Sequence, residues 1–127
     1  MGLDMSWFAV NKLEMVDICD ISAEFSPVLM ENERVVLGYK GIRDAVVFTD
    51  RRVLFMNRQG LTGKKTAYTT IPYTRIQAFE LETAGTLDID SEVKMWVAGL
   101  GAARLCFTPG TFIYGIGELL NEKCLNY

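Results

Sequence analysis

Short apolar segments separated by polar turns fill the middle of this chain, from residue 41 to residue 99. Their branched and aromatic residues predict β-strands, and turn residues around Gly60 and Gly63, with Pro72, mark interruptions between strands. Consecutive antiparallel strands of this length favour a small barrel or sandwich. The seven predicted strands are 35–42, 45–49, 52–57, 65–71, 76–83, 92–97 and 102–107.

Two of these strands indicate which face of the sheet is exposed to water. Apolar and polar residues alternate over 79–83 and again over 92–97, as expected for a sheet with one face in water. Trp96 breaks the second alternation. We therefore expect Trp96 to cover the outer side of the sheet or to contact a partner.

The first 33 residues are predicted to form a helical arm. Over 17–30 the apolar residues recur at three- and four-residue spacing, which places them on one side of a helix. Asp17 or Asp20 can cap its start, and Pro27 should kink or shorten it. Residues 6–16 carry several apolar side chains and are predicted to form one or two further helical turns.

A second helix is predicted over 109–124, after the β-barrel region 34–108. Its apolar stripe should cover the sheet, and the pair Thr108 and Pro109 fits an N-cap followed by proline at the first helical position. Gly115 and Gly117 suggest close packing against a bulky group, although simple tolerance of glycine explains them almost equally well. The stripe consists of Phe112, Ile113, Ile116, Leu119 and Leu120.

Composition limits the classes of function. The chain has 127 residues, enough for one domain with its own core, and no apolar run long enough to cross a bilayer. Three cysteines (Cys19, Cys106 and Cys124) are expected to be reduced and mostly buried thiols. The absence of histidine removes imidazole general bases and histidine-based metal centres. We expect a cytoplasmic protein that is not an enzyme and has no metal or other cofactor.

Charge is strongly segregated along the chain despite a net charge of only −3. Residues 1–33 carry one base and seven acids (1 − 7 = −6), whereas residues 43–75 carry seven bases and two acids (7 − 2 = +5). The basic part could meet anionic lipid, or the acidic part of a neighbouring subunit, or both sets could simply be solvated. Nucleic acid is not an expected partner because the whole chain is acidic, with a pI of about 4.9.

Resemblance to a known family rests on two stretches, VFTDRRVLFMNRQGLTGKKTAYTTIPYTRI and ETAGTLDIDSEVKMWVAG. They resemble the bacterial pleckstrin-homology-like (PH-like) family, and the predicted arm and terminal helix agree with that family in order and length. The resemblance implies a bent, seven-stranded antiparallel barrel or sandwich closed at one end by the C-terminal helix. It also implies ring-like homo-oligomers, and it does not imply an enzyme.

Candidate contact residues are the cations near the predicted turns and the exposed tryptophan. By resemblance to PH domains that grip phosphate with basic side chains on an early hairpin, the cations could bind lipid headgroups at the inner face of the membrane. Self-association into a ring is the main interpretation, and peptide capture at an open sheet edge or beside the terminal helix is a third. The candidates are Arg51, Arg52, Arg58, Lys64, Lys65 and Trp96.

Overall fold

The protein is mainly β with a C-terminal helix, as predicted. The computed structural model describes residues 6–59, 64–83 and 89–125. All seven predicted strands are present, and an eighth precedes them. The elements are β1 (Ser6–Met15), α1 (Ile18–Phe25), β2 (Val35–Lys40), β3 (Asp44–Thr49), β4 (Arg52–Gln59), β5 (Lys65–Pro72), a 3-10 turn (Tyr73–Arg75), β6 (Ile76–Glu82), β7 (Ser91–Val97), β8 (Gly101–Phe107) and α2 (Tyr114–Leu125).

Eight strands form one sheet in the order β5-β4-β3-β2-β1-β8-β7-β6. Neighbours are antiparallel except for β1 and β8, which run parallel. The prediction of a seven-stranded antiparallel barrel or sandwich therefore differs from the structure in two details. The N-terminal segment adds a strand that joins the two halves of the sheet, and within the described residues β5 and β6 are unpaired edges.

The interpretation of residues 6–16 as helical is also wrong, and β1 shows why. Its pairing with β8 shifts register between Val10 and Leu13, where Lys12 has a φ of 57°. Such a bulge inserts an extra residue, so that two inward-facing side chains stand three positions apart instead of two. Val10 and Leu13 are both buried, and their spacing imitates a helical period.

Helix α1 confirms the second half of the predicted arm. The Asp17 carboxylate caps it by accepting hydrogen bonds from the N–H groups of Cys19 (2.8 Å) and Asp20 (3.2 Å). The helix ends at Phe25, two residues before Pro27, as expected for a residue that lacks an N–H. Helix α1 lies on its own sheet, where Ile21 is buried.

Two hydrophobic clusters stabilise the fold, one on each side of the β3–β4 hairpin. The larger lies between the halves of the sheet and includes Phe48, Phe55 and the buried side of α2. The smaller lies between the hairpin and α1 and includes Phe25 and Leu54. Strands β3 and β4 are thus covered on both faces, which explains why their sequences are continuously apolar and do not alternate.

Helix α2 starts later than predicted, at Tyr114, so the proposed N-cap at Thr108 is wrong. The Thr108 hydroxyl instead contacts the Leu13 carbonyl oxygen (3.4 Å) within a turn that precedes the helix. Ile113, Ile116, Leu119 and Leu120 are buried as predicted. Phe112 is not, with 58% of its surface exposed.

Close packing explains one of the two helix glycines. A Cβ at Gly117 would lie 2.8 Å from a terminal methyl of Leu81 on β6, so the glycine lets α2 approach that strand. A Cβ at Gly115 would lie 3.8 Å from Leu37, which is an ordinary contact.

Candidate functional site

The five candidate cations do not form one cluster. Arg51 and Arg52 stand at the start of β4, whereas Arg58, Lys64 and Lys65 stand at the other end of the β4–β5 hairpin. From Arg52 to Gln59 the strand rises by about 23 Å at 3.3 Å per residue. A single phosphate group therefore cannot contact both sets at once.

Arg52 is engaged inside the molecule. Its guanidinium donates to both carboxylate oxygens of Glu33 (2.9 Å each), to the Val28 carbonyl oxygen (2.8 Å) and to the Thr70 hydroxyl (2.9 Å). The carboxylate of Glu33 also accepts from the N–H of Met30 (3.0 Å). This bidentate ion pair ties the segment after α1 to β4, and it uses the charge of Arg52.

The pKa of Glu33 shows how strongly its hydrogen bonds and the nearby charge stabilise the ionised carboxylate. Burial alone raises the pKa, but the hydrogen bonds from Arg52, from the N–H of Met30 and from the Thr49 hydroxyl, with the Arg52 charge, outweigh it and lower the pKa to about 2. The Thr49 hydroxyl lies 2.6 Å from the carboxylate. Glu33 is therefore an ionised structural group at neutral pH.

Arg58 is also paired within the chain. The carboxylate of Glu24 on α1 accepts from Arg58 (3.0 Å) and from Lys40 on β2 (2.9 Å). Two of the acids in the predicted arm, Glu24 and Glu33, thus form ion pairs with bases of the same chain. Among the candidate cations, Arg51, Lys64 and Lys65 are exposed.

Trp96 lies on a different half of the sheet from the cations. It stands on the outer side of β7, opposite Ala78 of β6 and Ala102 of β8, and is half-buried. The Lys94 ammonium lies 5.9 Å from the centre of its ring, at cation–π distance. The six candidate residues are therefore spread over both halves of the sheet.

A groove between β6 and α2 is a feature that the sequence analysis did not locate by residue. Its volume is about 540 Å³, and two exposed aromatic rings, Phe112 and Tyr114, stand at its wall with their centres 5.6 Å apart. The signal available in the sequence was a pair of aromatic residues at the start of a helix, of which Phe112 was predicted to belong to the buried stripe. The lining residues are Phe79, Leu81, Phe112, Tyr114, Gly117, Glu118 and Asn121.

A smaller groove of about 350 Å³ lies at the ends of β5 and β7. Trp7, Pro72 and Leu100 give it an apolar lining, and Arg75 stands at its margin. This groove also was not predicted from the sequence, because its residues come from three separate segments.

Groups with chemical reactivity are scattered. No cluster of three or more carboxylate or thiol side chains suited to a metal ion occurs among the described residues. Glu92 accepts a 2.6 Å hydrogen bond from Arg104. All three cysteines are free, but Cys19 is exposed, contrary to the expectation of mostly buried thiols. Burial raises the pKa of the other two thiols, which are half-buried.

Comparison with known proteins places this architecture in a family. A family model described as "Bacterial PH domain" matches residues 7–124, so the chain belongs to the bacterial PH domain family. Within the described residues, no helix is both long and apolar enough to cross a membrane.

Relatives extend the similarity over most of the chain. YjqA of Bacillus subtilis (strain 168), an uncharacterized protein, is 41% identical over 107 residues, which are 83% of this chain and 86% of YjqA. A crystal structure of a DUF1696 family protein with a pleckstrin-homology domain from Shewanella loihica PV-4 has a TM-score of 0.75 at 36% identity and covers 91% of this chain and 99% of that one. A pleckstrin homology domain from Shewanella amazonensis SB2B gives 0.69 at 40% identity, covering 89% and 92%.

Proposed function

We propose that this bacterial PH domain is a non-enzymatic assembly module that associates with copies of itself in a head-to-tail manner. One observation carries the proposal: the outer face of the first half of the sheet has exposed acids at one flank and exposed bases at the other. A contact between unlike flanks is heterologous, and heterologous contacts close into rings when the rotation between neighbours permits.

The direction of α1 places the acids. Its N-terminal end lies over β2, where the N–H of Val16 donates to the Gly38 carbonyl oxygen (3.1 Å). Its C-terminal end reaches β5, where the rings of Phe25 and Tyr68 lie 6.0 Å apart. The exposed carboxylates of Asp17 and Asp20 therefore lie on the β2 side of this face.

Lys64 and Lys65 place the bases. Lys65 begins the edge strand β5 and Lys64 directly precedes it, on the far side of α1 from its acidic end, and both are exposed. Glu24 and Glu33 already pair with Arg58 and Arg52, and the exposed Arg51 stands at the other end of β4, so these lysines are the cations at this end of the hairpin that remain available to a neighbour. Lysines on an edge strand also oppose indiscriminate strand pairing, which favours a contact chosen by charge.

Light scattering on two charge variants tests the proposal. We expect the unmodified chain to form an oligomer that dissociates as salt increases. Lys64→Glu/Lys65→Glu should abolish the contact from the basic flank, and Asp17→Asn/Asp20→Lys should abolish it from the acidic flank while asparagine keeps the helix cap. The control Arg75→Glu/Lys123→Glu makes the same charge change as the lysine variant, away from the start of β5 where the two lysines lie, and should leave the oligomer intact.

Mixing the two interface variants identifies the type of contact. Each variant keeps one working flank, so a head-to-tail contact predicts that the mixture forms a one-to-one dimer and nothing larger. A mass of one chain for the unmodified protein at low as well as moderate salt would refute the proposal. Dissociation by the control variant to the same extent would refute the assignment to these flanks.

A further inference from the structure

The free edge of β6 and the adjacent groove together form a surface that the proposed self-association does not use. β6 pairs with β7 on one side, and no described strand pairs with its other side. Along such an edge every second residue directs its N–H and C=O groups outward, which makes the edge a template for another strand.

The groove beside this edge gives the template an apolar wall. Phe79 and Leu81 of β6 are half-buried and line it, and Phe112 and Tyr114 stand opposite with 58% and 56% of their surfaces exposed. Gly117 brings α2 close to Leu81, so the floor of the groove is narrow. Side chains that enter it from an added strand would remove these aromatic rings from water.

The charge on the other face of β6 indicates which side chains an added strand would carry on that face. Glu80 and Glu82 alternate with the groove-lining residues and are exposed. Glu82 stands directly opposite Glu92 of β7, which already accepts a 2.6 Å hydrogen bond from Arg104. Glu80 pairs with Lys94 at 3.8 Å but keeps 53% of its side chain exposed. The three carboxylates therefore still outnumber these two cations by one, which leaves the face slightly acidic. Glu118, also exposed, adds a carboxylate at the groove itself.

We propose that the β6–α2 groove binds an extended segment of another protein in which apolar residues alternate with lysine or arginine. The segment adds to β6 as a further strand. Because side chains of a strand alternate between faces, its apolar residues enter the groove and its basic residues face Glu80 and Glu82. The main-chain hydrogen bonds supply affinity, and the two-sided pattern supplies selectivity.

Binding of a synthetic peptide with alternating valine and lysine, measured by fluorescence anisotropy, tests this assignment. The control peptide has the same composition with all valines before all lysines. We expect the alternating peptide to bind at least about tenfold more tightly, since only it presents one apolar and one basic face. Hydrogen exchange should slow at β6 amides on binding. Equal binding of both peptides, or unchanged exchange at β6, would overturn the proposal.

Variants of exposed residues locate the site without disturbing the core. Phe112→Ser/Tyr114→Ser should weaken binding by about tenfold or more, and Leu100→Ser, equally exposed but outside this groove, should not. Glu80→Lys/Glu82→Lys should reverse the preference toward an alternating valine–glutamate peptide. Equal losses with Leu100→Ser would overturn the assignment. A fall in oligomer mass with Phe112→Ser/Tyr114→Ser would also overturn it, because the occupant would then be a second copy of this chain.

Discussion

Replacing Arg52 with methionine tests whether this predicted contact residue is in fact structural. The substitution keeps most of the aliphatic packing but removes the guanidinium that donates twice to Glu33 and once to the Val28 carbonyl oxygen. The Glu33 side chain is fully buried, and only 17% of the Arg52 side chain is exposed. Removing one partner of a buried pair leaves the other charge uncompensated, at a cost of about 3 kcal/mol.

The pKa of Glu33 supports the same magnitude. A carboxyl pKa lowered from 4.5 to about 2 corresponds to about 3 kcal/mol in favour of the ionised form in the folded state. Part of that comes from the N–H of Met30 and the Thr49 hydroxyl, but desolvation opposes it, and Arg52 must offset desolvation as well. Both estimates are a large fraction of the stability of an ordinary domain.

Urea denaturation at one fixed protein concentration measures the loss, with Arg51→Met as the matched control. Arg51 is exposed one position earlier, so its replacement should change the free energy of unfolding by less than about 0.5 kcal/mol. A loss below about 1 kcal/mol for Arg52→Met would refute the structural role. If Arg52 served headgroup binding instead, its replacement would reduce vesicle binding and leave the free energy of unfolding unchanged.

Three further predictions concern single positions. The free energy of unfolding that the Glu33 carboxylate contributes should be complete above its unfolded pKa of 4.5 and be lost as pH falls toward about 2, so the difference between the unmodified chain and Glu33→Gln should shrink over that interval in denaturation series. Gly41→Ala should lower the free energy of unfolding by about 1–3 kcal/mol, because its Cβ would lie 2.6 Å from the Asn11 carbonyl oxygen; an unchanged denaturation midpoint would contradict this. Gly115→Ala should raise it by up to about 1 kcal/mol, since the new methyl only touches Leu37 and alanine favours the helix; a lowered thermal midpoint would contradict this.

The strands could be predicted because their local pattern carries most of the information. Polar turns bound each one, and the alternation in β7 continues as strictly buried and half-buried positions in the structure. β1 could not be recognised because the bulge at Lys12 changes the spacing of its buried residues from two to three. The unbroken apolar runs of β3 and β4 held a further signal, since a strand without alternation needs a cover on both faces.

The candidate site was harder to predict because it depends on which charges meet. Arg52 and Glu33 are 19 positions apart, and the turn after α1 brings them together. A count of charges along the chain correctly found segregation, but it could not distinguish pairing within one chain from pairing between chains. The groove beside β6 was equally hidden, since its position depends on where α2 begins.

The segregated charges serve two separate purposes. Some form ion pairs within the chain, and others remain exposed to water. Glu33 and Glu24 form ion pairs with Arg52 and Arg58 that hold α1 and the following turn on the sheet. The exposed acids at the start of α1 and the exposed Lys64 remain in water, where a surface pair contributes little to the stability of one chain. Charges that add little to folding can still determine which surfaces meet, because complementary potentials control encounter and register. Neutralising Lys64 and Lys65 should therefore change the mass of the assembly and leave the free energy of unfolding of each chain nearly unchanged.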